Sequence, residues 1–227
     1  MMVAESLRIE VAGVVLDADV TVPPSARGVV IFAHGSGSSR HSPRNRYVAQ
    51  ELNGAGLGTV LADLLTHREE QVDVHTAELR FDIDLLAVRM IALTDWAAEY
   101  ETTCDLPVGL FGASTGAAAA LVAAAARPHL VAAVVSRGGR PDLAGEFLRL
   151  VHQPTLLIVG QLDGTVIELN RAAMAKLAGE TRLAIVPGAT HLFEEAGALE
   201  QAANLARDWF LQHLPHWQAT RLKHSSS

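Results

Sequence analysis

The sequence has little cysteine, few aromatic residues and no long apolar run. Cys104 is the single cysteine among 227 residues, so an intrachain disulfide cannot form and a reducing compartment is indicated. The 18 Lys and Arg residues are outnumbered by 25 Asp and Glu, and the net charge of -7 argues against a nucleic-acid partner. The first ten residues lack the pattern of a secretory signal, and no run approaches the roughly 18 apolar residues of a membrane span. We therefore expect a cytoplasmic protein without a membrane or nucleic-acid partner.

Short apolar runs alternate with helical patterns along the chain. Alternating residues at 7–11 and 14–22 predict an antiparallel hairpin. Nearly continuous apolar runs predict strands buried on both faces at 28–33, 58–62, 107–111, 131–135, 155–159 and 183–186. Helices are predicted at 45–53, 78–100, 115–126, 166–178 and 198–213.

These elements predict an α/β fold with a mostly parallel central sheet, an antiparallel N-terminal hairpin and helices on both faces. A single domain is expected over residues 1–214, followed by a polar tail at 215–227. The longest stretch without a predicted element is 64–77, so we expect no large lid over a site at the carboxyl ends of the strands.

The segment Gly112-Ala113-Ser114-Thr115-Gly116 lies between a predicted strand and an alanine-rich helix. This is the pattern of a nucleophile elbow, in which a strained turn presents a serine and the flanking glycines avoid collisions. The pentapeptide alone also fits chance or helix packing, and the strand before it and the helix after it favour the catalytic interpretation.

A nucleophilic serine needs a base and a carboxylate that orients the base. Asp163 and His191 follow the last two predicted strands, 155–159 and 183–186, which gives the chain order Ser114, Asp163, His191 that α/β hydrolases use. Taken singly, Asp163 could cap a helix and His191 could be a turn residue; Asp142 and Glu168 are rival carboxylates.

The segment His34-Gly35-Ser36-Gly37-Ser38-Ser39 follows the first buried strand. Its small residues would let backbone N–H groups approach a bound carbonyl oxygen, and we assign the oxyanion donors to the backbone of Ser36 and Thr115. A phosphate-binding loop is the competing interpretation, but its Gly-Lys-Ser/Thr ending is absent. We expect His34 to be structural.

These motifs resemble those of the serine α/β hydrolases, and among them the small, lidless proteins similar to dienelactone hydrolase. The resemblance extends over about residues 28–214 and rests on the glycine-rich loop, the elbow, Gly160-Gln161-Leu162-Asp163 and Ala189-Thr190-His191. It implies ester hydrolysis through a covalent acyl-enzyme, with no metal and no organic cofactor. Dienelactone hydrolase proper has a cysteine nucleophile where this chain has Ser114, so lactone specificity does not carry over.

Two basic segments lie near the expected mouth of the site, at 39–46 and 136–140. We expect Arg137, with Arg40, to bind an anionic group of the substrate, since the guanidinium group binds carboxylate or phosphate in a planar fork. Solvated loop charge or pairing with nearby carboxylates is the alternative. Asp63 could orient the loop that carries Arg40, but a structural hydrogen-bond role is favoured.

The predicted function is that of a serine carboxylic-ester hydrolase for small or short-acyl esters, as a monomer or homodimer. The 5% aromatic content and the absence of a lid argue against a lipase for long chains. A thioesterase, lactonase or amidase with the same three residues is the alternative within enzymes, and a ligand-binding protein that has lost turnover is the alternative outside them.

Overall fold

The computed structural model describes residues 2–214, and the predicted tail at 215–227 lies outside them. Its centre is an eight-stranded sheet in the order β1-β2-β4-β3-β5-β6-β7-β8. The strands are β1 (Val3–Val11), β2 (Val14–Val22), β3 (Val29–Ala33), β4 (Gly58–Ala62), β5 (Val108–Ala113), β6 (Val131–Arg137), β7 (Thr155–Gly160) and β8 (Thr181–Val186).

Strand direction follows the prediction from the apolar runs. β1 and β2 form an antiparallel hairpin, and β2 is also antiparallel to β4. From β4 through β3, β5, β6 and β7 to β8, every neighbouring pair is parallel. The carboxyl ends of these six strands therefore lie at one edge, which is where loops can build a site.

The helices cover both faces of the sheet and bury two separate apolar cores. They are α1 (Pro43–Gly54), α2 (His67–Thr76), α3 (Ile83–Glu99), α4 (Gly116–Ala126), α5 (Gly164–Met174) and α6 (Ala198–His213). Successive β3 residues alternate between the cores: Ile31 joins the one that contains α3 and α4, and Phe32 joins the one that contains α1 and α6. This alternation is the two-residue period of a strand whose faces are both covered.

Several boundaries differ from the sequence prediction. β1 begins at Val3, four residues before the predicted start. The single helix predicted at 78–100 is a short 3₁₀ turn at Leu79–Phe81 followed by α3, because the Asp82 side chain accepts a hydrogen bond from the Leu85 N–H at 2.9 Å and begins a new helix.

The stretch 64–77 contains a helix that was not predicted. Thr66 and Glu69 form a reciprocal capping box at the start of α2: the Glu69 N–H donates to Thr66 Oγ1 at 3.2 Å, and the Thr66 N–H donates to Glu69 Oε2 at 2.7 Å. Asp73 is the one buried residue of α2. With so little apolar periodicity, the capping box was the signal in the sequence that could have identified this helix.

Candidate active site

Ser114 lies at the strained turn between β5 and α4. Its φ is +50°, in a region that residues other than glycine adopt uncommonly. The flanking glycines are required by contact: a Cβ on Gly112 would stand 2.4 Å from the Ala117 Cα, and one on Gly116 would stand 2.3 Å from the carbonyl oxygen of Ala33. The turn therefore has the geometry expected of a nucleophile elbow.

His191 and Asp163 are hydrogen-bonded to each other. The Asp163 Oδ2 atom lies 2.6 Å from His191 Nδ1, which directs the other ring nitrogen, Nε2, away from the carboxylate. Asp163 occupies the N-cap position of α5, but its side chain makes no capping hydrogen bond. The carboxylate therefore binds the imidazole and not the helix N-terminus, and the interpretation of Asp163 as a simple helix cap is wrong.

The rival carboxylates have other partners. Asp142 forms a two-point hydrogen bond with Arg140, and Glu168 pairs with Arg171 one turn along α5. The loop that carries His191 is fastened by Glu195, which accepts from both the N–H and the hydroxyl of Thr190 at 3.1 and 2.6 Å. The hydrogen bonds from Thr190 hold the pKa of the Glu195 carboxyl below its usual range.

The assigned oxyanion donors are unoccupied N–H groups. Within the described chain, the backbone N–H of neither Ser36 nor Thr115 donates to another protein atom. Gly35, which precedes Ser36, packs directly against Ser114, and Thr115 follows Ser114 at the turn. Two free donors beside the serine are what stabilisation of a developing oxyanion needs.

His34 has a structural position, as expected. Its Nε2 accepts a hydrogen bond from the Leu64 N–H at 3.0 Å, so Nδ1 carries the proton and donates to the Gly35 carbonyl oxygen at 3.0 Å. Burial lowers the pKa of the imidazole and keeps the ring neutral. His34 therefore connects the oxyanion loop to the loop after β4.

Ser114 and His191 share one cavity of about 220 Å³ at the carboxyl edge of the sheet. Ser36, Ser38 and Ser42 also line it, together with Arg44, Asn45 and Arg137. Among residues 2–214, no hydrogen bond joins the Ser114 hydroxyl to the His191 ring; contacts of this kind commonly tighten when substrate binds. The cavity wall thus contains the serine, the oriented imidazole and Ser36, and Thr115 adjoins the serine in the chain.

Arg137 lies in this cavity, and Arg40 does not. Arg40 pairs with Asp63 through both its side chain and its backbone N–H, and its guanidinium also lies 3.8 Å from Asp19. The expectation that Arg40 accompanies Arg137 at the substrate is therefore corrected: its charge is neutralised by aspartates of β2 and of the loop after β4. Asp63 holds this loop, as the sequence suggested.

Arg44 and Asn45 are two cavity residues to which the sequence analysis gave no role. Both belong to the first turn of α1, where Ser42 caps the helix by accepting from the Asn45 N–H at 3.3 Å. Arg44 lines the cavity and pairs with Glu194 at 3.3 Å. The basic segment 39–46 was noted in the sequence, but which of its arginines faces the cavity depends on the start of α1.

A second cavity of about 250 Å³ lies on the other side of the oxyanion loop. Its wall contains an ion pair between the buried Asp73 and the partly exposed Arg80. Arg80 Nε donates to the Asp73 carboxylate at 2.5 Å, and Arg80 NH2 donates to the Asp73 carbonyl oxygen at 2.8 Å. Arg80 NH1 would lie 3.3 Å from a Cβ on Gly37, so the arginine packs against the oxyanion loop. Asp73 and Arg80 were not assigned from the sequence.

In the part of the chain that the structure describes, no three His, Cys, Asp or Glu side chains are grouped so that they could hold a metal ion. The same residues contain no helix with the length and apolar character needed to cross a membrane.

Comparison with known proteins identifies relatives over nearly the whole chain. A model of the dienelactone hydrolase family matches residues 16–216. The crystal structure of dienelactone hydrolase from Anabaena variabilis is 54% identical, covers 94% of this chain and 99% of that one, and has a TM-score of 0.92. Est1E from Butyrivibrio proteoclasticus is 17% identical with a TM-score of 0.77, covering 91% of this chain and 98% of that one, and it supports the fold alone.

A curated relative from Mycobacterium tuberculosis strain H37Rv has a different kind of name. It is 58% identical over 210 residues and is provisionally named a phosphoribosyl transferase. The match covers 92% of this chain but 46% of the relative, so the chain spans about half the length of that protein.

Proposed function

The chain belongs to the dienelactone hydrolase family, and we propose that it is a serine carboxylic-ester hydrolase that acts on small or short-acyl esters. The observation that carries the proposal is the 2.6 Å hydrogen bond between Asp163 and His191, in the loops beside the strained turn of Ser114. A ligand-binding protein has no need of an oriented imidazole that shares a cavity with a half-buried serine and two free N–H donors.

In the proposed reaction, Ser114 Oγ attacks the ester carbonyl carbon while His191 Nε2 accepts the hydroxyl proton. Asp163 keeps the other proton on Nδ1 and stabilises the imidazolium. The negative charge that develops on the carbonyl oxygen is held by the N–H groups of Ser36 and Thr115. The imidazolium then protonates the departing alcohol, leaving an acyl group on Ser114, and a water activated by His191 releases the acid.

The size of the cavity supports small substrates. Its volume of about 220 Å³ is below the range of about 300–1,000 Å³ typical of sites that enclose drug-sized ligands. The same residues could cleave a thioester, lactone or amide, and comparison of leaving groups tests these alternatives directly.

The transferase name of the mycobacterial relative supports no second proposal for this region. That name belongs to a protein of which the matched region is less than half. A serine, an oriented histidine and N–H donors are suited to acyl transfer to water. We therefore expect no release of pyrophosphate from phosphoribosyl pyrophosphate by this chain.

The test is hydrolysis of p-nitrophenyl acetate, butyrate and decanoate by the purified protein, with mass spectrometry to detect an acyl adduct. Ser114→Ala should abolish turnover and the adduct. Ser6→Ala, which removes an exposed hydroxyl on β1, is the matched control and should leave both unchanged. Absence of turnover and of an adduct on the folded wild-type protein would favour the non-catalytic binding protein instead.

A further inference from the structure

Arg137 is a buried cation without an anionic partner in the described chain. Only 7% of the residue is exposed, and its NH1 atom is buried without a hydrogen-bond partner. Its NH2 donates to the neutral Asn45 Oδ1 at 3.2 Å, and its guanidinium lies 5.8 Å from the centre of the Phe111 ring. A buried charge is costly unless it is paired, and neither contact supplies a negative charge.

Arg89 is a buried arginine that, unlike Arg137, has an anionic partner. It is 4% exposed, and its NH2 donates to the Glu69 carboxylate at 2.9 Å. Arg137 instead has another arginine nearby. Burial and the positive charge of Arg44 lower the pKa of Arg137 to about 10, which still leaves the guanidinium protonated at neutral pH. The protein therefore maintains an uncompensated positive charge at this position.

The rest of the cavity wall also favours an anion. The first turn of α1, which supplies Ser42, Arg44 and Asn45 to the wall, contains no acidic residue, and the N-terminal end of a helix attracts negative charge. Asn45 uses its oxygen to accept from Arg137, and its amide nitrogen donates to no other described residue. Donors and positive charge thus converge on the space in front of Arg137.

This positive site is adjacent to the nucleophile. Arg137 is the register partner of Ala113, which precedes Ser114, and the Ser114 N–H donates to the Arg137 carbonyl oxygen at 3.4 Å. Neighbouring strands are about 4.8 Å apart. An anion held by Arg137 would consequently belong to the same small molecule whose carbonyl carbon is attacked by Ser114.

We propose that Arg137 and Asn45, with Arg44 at the opening, form a subsite for an oxyanion carried by the substrate a few bonds from the scissile carbonyl. The inference rests on the proposed function for the position of the reacting carbonyl. The anionic group is a carboxylate or a phosphate, both of which match the donor pattern of a guanidinium.

The turnover experiment compares mono-p-nitrophenyl glutarate, which carries a free carboxylate, with the neutral p-nitrophenyl pentanoate, after subtraction of uncatalysed hydrolysis. Arg137→Met should lower the ratio of kcat/KM for the anionic ester to that for the neutral ester by about 10- to 100-fold, the effect of losing hydrogen bonds to a charged group. Arg149→Met, at an exposed arginine, should leave the ratio unchanged. Equal losses on both esters in Arg137→Met would overturn the subsite.

Two further measurements test the subsite if Arg137→Met does not fold. Arg44→Met changes a partly exposed side chain and should lower the same ratio by a smaller factor. Calorimetric titration of the wild-type protein with glutarate and with inorganic phosphate, at constant ionic strength, shows which anion is bound. Binding that is weakened in Arg137→Lys and in Arg44→Met supports the subsite, and absence of binding by both anions together with an unchanged ester ratio overturns it.

The two proposals fail in different ways. Turnover of both esters with an adduct on Ser114, but with no preference that depends on Arg137, would retain the hydrolase and remove the subsite. No turnover and no adduct would contradict the proposed hydrolase activity. The calorimetric titration alone would then show whether the anion site exists.

Discussion

Gly35 lies against Ser114 so closely that a Cβ on Gly35 would stand 2.9 Å from the Cβ of Ser114. The oxyanion loop and the nucleophile elbow are therefore in direct contact, and the position of the Ser36 N–H depends on the absence of a side chain at residue 35. The same Cβ would also be 3.2 Å from the carbonyl oxygen of Ala113. Backbone atoms of this kind cannot move aside without displacing the turn that holds the serine.

Gly35→Ala should lower kcat by about 100-fold, the loss that follows removal of one oxyanion donor. The added methyl group moves the loop away from Ser114, so the effect should fall on kcat more than on KM. Steady-state kinetics with p-nitrophenyl acetate measure it. Gly54→Ala, where a Cβ meets nothing within 4 Å, is the control; similar kcat values in the two variants would contradict the assignment of Ser36.

Asp163→Asn should reduce kcat by a factor on the order of 10⁴ with little change in folding. The amide can donate to His191 Nδ1, which would favour the tautomer that protonates Nε2 and prevents it from accepting the Ser114 proton. Kinetics and circular dichroism of the variant are the measurements. Asp142→Asn, at the rival carboxylate paired with Arg140, should retain activity; a larger loss there would transfer the role to Asp142.

The sequence was sufficient to predict the sheet and the strand-end loops that carry Ser114, Asp163 and His191. Buried parallel strands have continuous apolar runs, and their carboxyl ends share an edge, so residues that follow them must converge. The partners of the arginines could not be predicted in this way. Arg40 pairs with Asp63 and lies near Asp19 on β2, and only the packing of β2 beside β4 brings these side chains together.

The helix that the sequence analysis missed has weak apolar periodicity. α2 buries only Asp73, so its sequence lacks the apolar stripe by which helices are recognised. Asn45 was placed at the start of a predicted helix, but its contact with Arg137 joins residues 92 positions apart. Such contacts are set by tertiary packing and leave no local pattern in the sequence.

Arg80→Met should lower the free energy of unfolding by about 3 kcal/mol, because it leaves the buried Asp73 carboxylate without its cation. For a chain of this size that loss corresponds to a decrease in Tm of roughly 6–12 °C. Urea and thermal unfolding measure the change.

The double variant Asp73→Asn, Arg80→Met is the control for this ion pair. It removes the stranded charge and should recover part of the lost stability. The free energy of unfolding of Asp73→Asn alone is measured as well. If the losses of the two single variants add up to the loss of the double variant, the two side chains act independently and the ion pair contributes nothing.

The stability of the protein should fall as the pH decreases from 7.5 to 5.5, and His34 should account for part of the fall. Burial holds the pKa of His34 below its ordinary value, so the folded protein keeps the ring neutral while the unfolded chain binds a proton below about pH 6.5. Between the folded and unfolded pKa values the unfolded state binds more protons, and the free energy of unfolding therefore decreases as the pH falls. Over this interval the contribution of one histidine is at most about 1.4 kcal/mol.

His34→Gln retains an acceptor for the Leu64 N–H but does not titrate, so urea unfolding should show a smaller loss of stability between pH 7.5 and 5.5 than in the wild type. The exposed His152→Gln serves as the control for the substitution itself, and parallel pH dependences of wild type and His34→Gln would mean that His34 is not held neutral by the fold.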